Sequence, residues 1–168
     1  ATGEVINPAT GEILGHVPFA TPADLDAALG NADRGFRIWR ATPAEKRAKV
    51  LQDAAALLRQ RAGDIAQMMT REQGKPLAEA TGEAIYSAML FEFYAGECKR
   101  SYGRMLVRPA ASRAEVRYEP VGPVAAFAPW NFPAINVARK VGGPISAGCS
   151  VIVKPSEETP AAGLAVVQ

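Results

Sequence analysis

Three polar residues stand where buried strands are expected to stop. Asn131 follows the apolar run Val124 to Ala128, Lys154 ends the run that starts at Ser150, and Glu157 follows it. In α/β proteins, ligands bind at the carboxyl ends of strands, so these residue types have chemistry open to them there. The amide of Asn131 suits hydrogen bonding to an oxyanion; the same residue type also bonds its own backbone in ordinary turns. Lys154 as donor and Glu157 as acceptor suit the two hydroxyls of a ribose, although a solvated strand end with an acid near a helix start reads the same way. Arg139 and Lys140 interrupt an otherwise apolar helical stretch. Snorkelling accounts for one cation, and two in succession leave room for an anion site.

Other reactive residue types read as structural. Cys149, in Ala147-Gly148-Cys149-Ser150, lies at the entry to the second run, the amino end of a strand and the wrong edge for chemistry. It reads as a small buried hydrophobe, as does Cys98 on a helical stripe. His16 reads as an exposed hairpin residue rather than a base or ligand. Neither G-x-G-x-x-G nor G-x-x-x-x-G-K-[ST] occurs, so the usual phosphate-cradling loops are missing.

The elements that must position these residues follow from the prolines. Pro129 and Pro133 stop the first run and force a turn through Trp130-Asn131-Phe132. Pro133 fits the first position of a helix whose apolar face is Ile135, Ala138, Val141 and Ile145. The second run ends at Pro155, and Thr159-Pro160 reads as the cap and first position of a further helix. Strand, helix, strand and helix in this order make a right-handed βαβ unit of parallel strands, both expected to be buried on two faces.

Upstream, Val5 to Asn7 and Ile13 to Val17 flank turn residues and predict a hairpin. Thr21-Pro22 begins a helix with Leu25, Ala28, Leu29, Ala32, Phe36 and Trp39 on one side. Thr42 to Glu45 reads as a capping box with Pro43 at the first helical position. Asp64 to Gln73 predicts a third helix stopped by Gly74. Leu77 to about Lys99 predicts a fourth, with Thr81, Ala84, Ala88, Phe91, Ala95 and Cys98 along one face. Residues 105–123 predict a second hairpin, turning at Pro109 to Ser112, that is too exposed to be stable alone and so is expected to pair with other strands or another subunit.

Composition narrows the function classes. Of 168 residues 48% are apolar, which suits a soluble globular core without a membrane span. Lys and Arg total 19 against 17 Asp and Glu, so a net charge of +2 makes no electrostatic case for nucleic acid or anionic lipid. Two cysteines and one histidine support neither a disulfide framework nor a zinc site, which fits a reducing, cytoplasmic setting. No signal peptide is expected, because the first residues lack a basic region followed by an apolar one. The chain begins on Ala1 rather than methionine, so its start is expected to be missing, and its last apolar helix has no following strand, so it is expected to be the first part of a larger α/β protein.

The stretch PWNFP at 129–133, with AGC and VIVKPSEETP at 147–160, resembles the aldehyde dehydrogenase superfamily. The likeness extends over nearly the whole chain: NPATGE at 7–12, the WR of residues 39 and 40, and EQGKPLAEA at 72–80 are similar to that family's N-terminal part. MTREQGKPLAEA, FEFYAGECKRSYG at 91–103 and ARK at 138–140 are most similar to the succinic semialdehyde dehydrogenase branch.

That resemblance implies an α/β fold in which residues 1–104 are the hairpin and helices of the cofactor domain. Residues 105–123 would be an oligomerisation hairpin, and 124–168 the first βαβ unit of a Rossmann-like NAD(P) domain. It implies an NAD(P)-dependent oxidation of a small-molecule aldehyde in a homodimer or homotetramer. Asn131 then matches the family's oxyanion donor, and Lys154 and Glu157 match its ribose-binding pair with Ser156 beside them. Ala128 and Trp130 match backbone contacts to the cofactor, and Arg139 matches an arginine that meets a substrate carboxylate. Glu157 favours NAD, because a carboxylate repels a 2′-phosphate; Lys154 leaves NADP open. The catalytic cysteine and glutamate of the family are expected beyond Gln168, so these residues alone should be inactive. Another semialdehyde or acyl-phosphate enzyme of the same fold, or a non-catalytic nucleotide-binding module, is the alternative.

Overall fold

In a computed structural model, which describes residues 1–110 and 112–168, four helices precede a parallel two-stranded sheet. The chain opens with an antiparallel hairpin, β1 (Thr2–Ile6) and β2 (Ile13–Pro18). The Asn7 side chain accepts the Ala9 amide and Gly11 takes a φ of 74° to close its turn. Four helices follow: α1 (Pro22–Arg40), α2 (Ala44–Gln60), α3 (Ala62–Gln73) and α4 (Leu77–Glu97). The second hairpin is short, β3 (Arg104–Leu106) against β4 (Ala114–Val116), and Ala111 in its expected turn lies outside the described residues.

The βαβ unit forms as the prolines dictate. Strand β5 (Val124–Phe127) pairs in parallel with β6 (Val151–Lys154), bridged by α5 (Pro133–Ala147) and followed by α6 (Pro160–Leu164). Phe127 stands opposite Lys154, so the carboxyl ends of both strands are level. Gly148 closes α5 at a φ of 97°, a conformation that only glycine takes without strain.

The core lies where α2, α3 and α4 pack on α5 and α6. Leu51, Leu58, Ile65, Met69, Phe91 and Val137 are all buried in it. Small residues let α4 and α5 approach: a Cβ at Gly142 would meet the Tyr94 ring at 2.4 Å. Trp39 ties α1 to this core by donating its indole N–H to the Ile145 carbonyl at 2.8 Å.

Several expectations change. Strand β5 is buried on one face only, Ala126 inward and Phe127 65% exposed. On α1 only Ala32 is buried, whereas Leu25 and Leu29 of the expected apolar face are exposed. The buried face of α5 is centred on Ala134, Val137 and Ala138 rather than Ile135, because the closest packing against α4 runs through Gly142. The capping box falls on Thr21 and Asp24, not on Thr42 and Glu45. Pro43 occupies the cap position of α2, and the Thr42 hydroxyl turns back to the Ile38 carbonyl at 3.1 Å. Helix α3 begins two residues early, at Ala62. Among the described residues no helix is long and apolar enough to cross a membrane.

Candidate active-site edge

The level ends of β5 and β6 bring the Asn131 turn and the Lys154–Glu157 stretch to one edge. The Ala128 amide donates to the Lys154 carbonyl at 3.0 Å, extending the ladder to the last residue before Pro129. That bond occupies the Ala128 amide, so any ligand contact by its backbone falls to the carbonyl. Trp130 is 54% exposed, and with Glu157, Glu158, Thr159, Glu72 and Gln73 it lines a cleft of about 460 Å³.

Asn131 itself is exposed. Its side-chain oxygen accepts from the Asn136 amide at 3.5 Å, a long contact that turns the carbonyl end of the side chain toward α5. Arg139 is exposed one turn beyond Asn136 and shares its side of α5, three residues on. It makes no ion pair among the described residues. Lys140 is different: its ammonium donates to the Phe127 carbonyl, a tie between α5 and the end of β5. That tie engages one of the two cations expected to leave room for an anion site.

Lys154 and Glu157 are both about half exposed and bonded to each other, Nζ to Oε1, at 2.8 Å. Ser156, expected beside them, gives its hydroxyl to Glu158 and holds that carboxyl below its ordinary value. Cys149 and Cys98 are each only 3% exposed, and desolvation pushes the Cys98 thiol up, with Arg47 opposing. Neither thiol is presented to the edge. His16 is exposed on β2. No three His, Cys, Asp or Glu side chains among the described residues are grouped to hold a metal.

Two buried glutamates, not anticipated from the sequence, organise this edge. Glu83 on α4 accepts the amides of Ala134 and Ile135, the first turn of α5, at 2.9 and 3.2 Å. Its other oxygen pairs with the Lys75 ammonium. Glu72 on α3 accepts the amides of Ala161 and Ala162 in α6 at 2.9 and 2.8 Å. Thr159, expected to cap α6, makes no such bond and its buried hydroxyl is unpartnered. The first free amides of α5 and α6 are thus filled by the protein's own carboxylates rather than offered to a ligand. That filling agrees with the missing glycine fingerprint. The one sequence signal that could have singled out Glu83, though not its partners, is a charge on an otherwise apolar stripe between Ala80, Ala84 and Ser87.

The profile of the Aldehyde dehydrogenase family matches residues 1–168. The chain belongs to the aldehyde dehydrogenase family. Among curated relatives, a 4-(hydroxymethyl)benzenesulfonate dehydrogenase of Comamonas testosteroni is 49% identical over 97% of this chain and 34% of its own length. The succinate-semialdehyde dehydrogenase [NADP(+)] of Escherichia coli K12 is 42% identical, covering 98% of this chain and 34% of that protein. The crystal structure of succinate-semialdehyde dehydrogenase from Burkholderia pseudomallei superposes with a TM-score of 0.96 at 46% identity, over 99% of this chain and 35% of that one. The chain therefore spans about a third of the length of the relatives it matches.

Proposed function

We propose that the full-length protein oxidises an aldehyde bearing a carboxylate, such as succinic semialdehyde, to the corresponding acid with NAD. The observation carrying this reading is the placement of Asn131, Lys154 and Glu157 at one sheet edge, with Arg139 on the Asn131 side of α5.

The residues present fit part of a nicotinamide dinucleotide. An ammonium and a carboxylate 2.8 Å apart offer one donor and one acceptor to the neighbouring hydroxyls of a ribose. The occupied N-termini of α5 and α6 leave the pyrophosphate to other parts of the protein. When bound, the dinucleotide supplies the hydride acceptor.

The remaining work falls to side chains of this chain. When a thiolate from the rest of the protein adds to the aldehyde, negative charge develops on the carbonyl oxygen. The Asn131 NH₂ donates to that oxygen, an interaction worth about 3–4 kcal/mol where one such donor has been removed. Arg139 holds the far carboxylate of the substrate by charge-assisted hydrogen bonds. Trp130 walls the cleft against water on the Glu157 side. The exposed β3–β4 hairpin is the surface we assign to subunit association.

A second reading changes only the anion. The name of the 49% identical relative specifies a sulfonate, and an arginine side chain serves that group as well as a carboxylate. The deciding experiment is Asn131→Ala in the full-length protein: kcat should fall by about 10²-fold or more. An unchanged kcat would remove Asn131 from the reaction.

A further inference from the structure

The carbonyl of Asn131 follows the last bond of β5 and precedes the first of α5, so neither element fixes it. Two side chains do so instead, from 58 and 56 residues earlier. Gln73 donates its Nε2 at 3.1 Å and Lys75 its Nζ at 3.2 Å. The Lys75 side chain is 8% exposed, and its ammonium also pairs with Glu83 and stands 4.3 Å from the centre of the Phe132 ring. Glu83, itself 2% exposed, holds the amides of Ala134 and Ile135 with its second oxygen. The turn is therefore gripped at the Asn131 carbonyl, the Phe132 ring and the first two amides after Pro133.

A buried ion pair is a poor source of stability, because desolvation offsets most of its Coulomb energy; its better-attested use is to select one arrangement over others. Here the arrangement selected is that of a turn between two prolines. A peptide plane free to rotate at Asn131 would swing the side-chain amide across the crevice. Displacement of a catalytic group by about 1 Å can cost about 10²-fold in rate.

We infer that Lys75 and Gln73 are positioning residues for Asn131: by clamping its carbonyl they fix where its amide stands, and Glu83 holds Lys75 in place. This inference rests on Asn131 being the oxyanion donor.

The test uses the full-length protein with Lys75→Met and Gln73→Ala, each alone and combined with Asn131→Ala. Aldehyde kcat/KM is measured at saturating cofactor, beside cofactor Kd and thermal unfolding. Lys75→Met should lower aldehyde kcat/KM by about tenfold or more, and Gln73→Ala by less. Cofactor Kd should move by less than about twofold, and both losses should shrink to within about twofold when Asn131 is already alanine. Losses that persist undiminished beside Asn131→Ala, or no loss at all, would overturn the inference while leaving the Asn131 reading intact. A silent Asn131→Ala would sink that reading and the positioning role together. If Lys75→Met does not fold, Gln73→Ala, at an exposed contact, decides by the same criterion.

Discussion

Lys154 and Glu157 neutralise each other at the carboxyl end of β6, ammonium to carboxylate at 2.8 Å and three residues apart. The pair bears on cofactor choice, since Glu157 both repels a 2′-phosphate and occupies the cation that would receive one. In the full-length protein, Glu157→Gln should raise the NADP-to-NAD ratio of kcat/KM by about two- to fivefold, the scale of a partly exposed charge interaction. Kinetics with both cofactors measures it. A ratio that falls would mean that Glu157 does not face the ribose.

Arg139 has no ionic partner among the described residues and lies one turn beyond Asn136. Arg139→Ala should lower kcat/KM for succinic semialdehyde by about 10- to 10²-fold, the worth of hydrogen bonds to a charged group, and leave propanal nearly untouched. Equal losses on both aldehydes would defeat the anion-anchor role. A larger loss on a sulfonate-bearing aldehyde would favour the second reading.

Helix approach gives a stability contrast. A Cβ at Gly142 would stand 2.4 Å from the Tyr94 ring, whereas one at Gly82, in the middle of α4, meets nothing within 4 Å. Gly142→Ala should destabilise by about 1–3 kcal/mol through overpacking. Gly82→Ala should stabilise by about 0.5–1 kcal/mol by removing helical glycine. Urea unfolding of the two variants should move their midpoints in opposite directions.

Burial pushes the Glu72 carboxyl above its ordinary value of 4.5, against the lowering effect of the Ala162 and Ala161 amides. The folded protein then binds this proton more tightly than the unfolded chain does. Its contribution to stability is fullest below 4.5 and declines as pH rises through the raised value. Glu72→Gln cannot titrate, so the stability of the wild type relative to this variant should fall as pH rises from 4.5 through the raised value. Thermal unfolding across that range checks the sign, and a difference that grows with pH would contradict it.

The βαβ unit was legible because its punctuation is local. Pro129, Pro133 and Pro155 stop strands and start α5 wherever they occur, and the level ends of β5 and β6 follow from parallel pairing. The acceptors at the helix starts were not legible, since Glu83 and Glu72 reach α5 and α6 from 51 and 89 residues away. Local rules even misled: Thr42 and Thr159 carry the residue type of a cap and make no cap bond. Nothing near Lys75 in sequence shows that Asn131 and Phe132 will come to rest against it. For Leu25 and Leu29, periodicity gave an apolar face on α1 without saying that anything in these residues would cover it.

The first amides of a helix ordinarily exchange their hydrogens soonest, since water is their usual partner and the end frays. The amides of Ala134, Ile135, Ala161 and Ala162 are bonded instead to carboxylates rooted in α3 and α4. Their protection against deuterium should therefore share the lifetime of those two helices rather than that of the turns beside them. The starts of α5 and α6 fray only when the helical layer behind them opens.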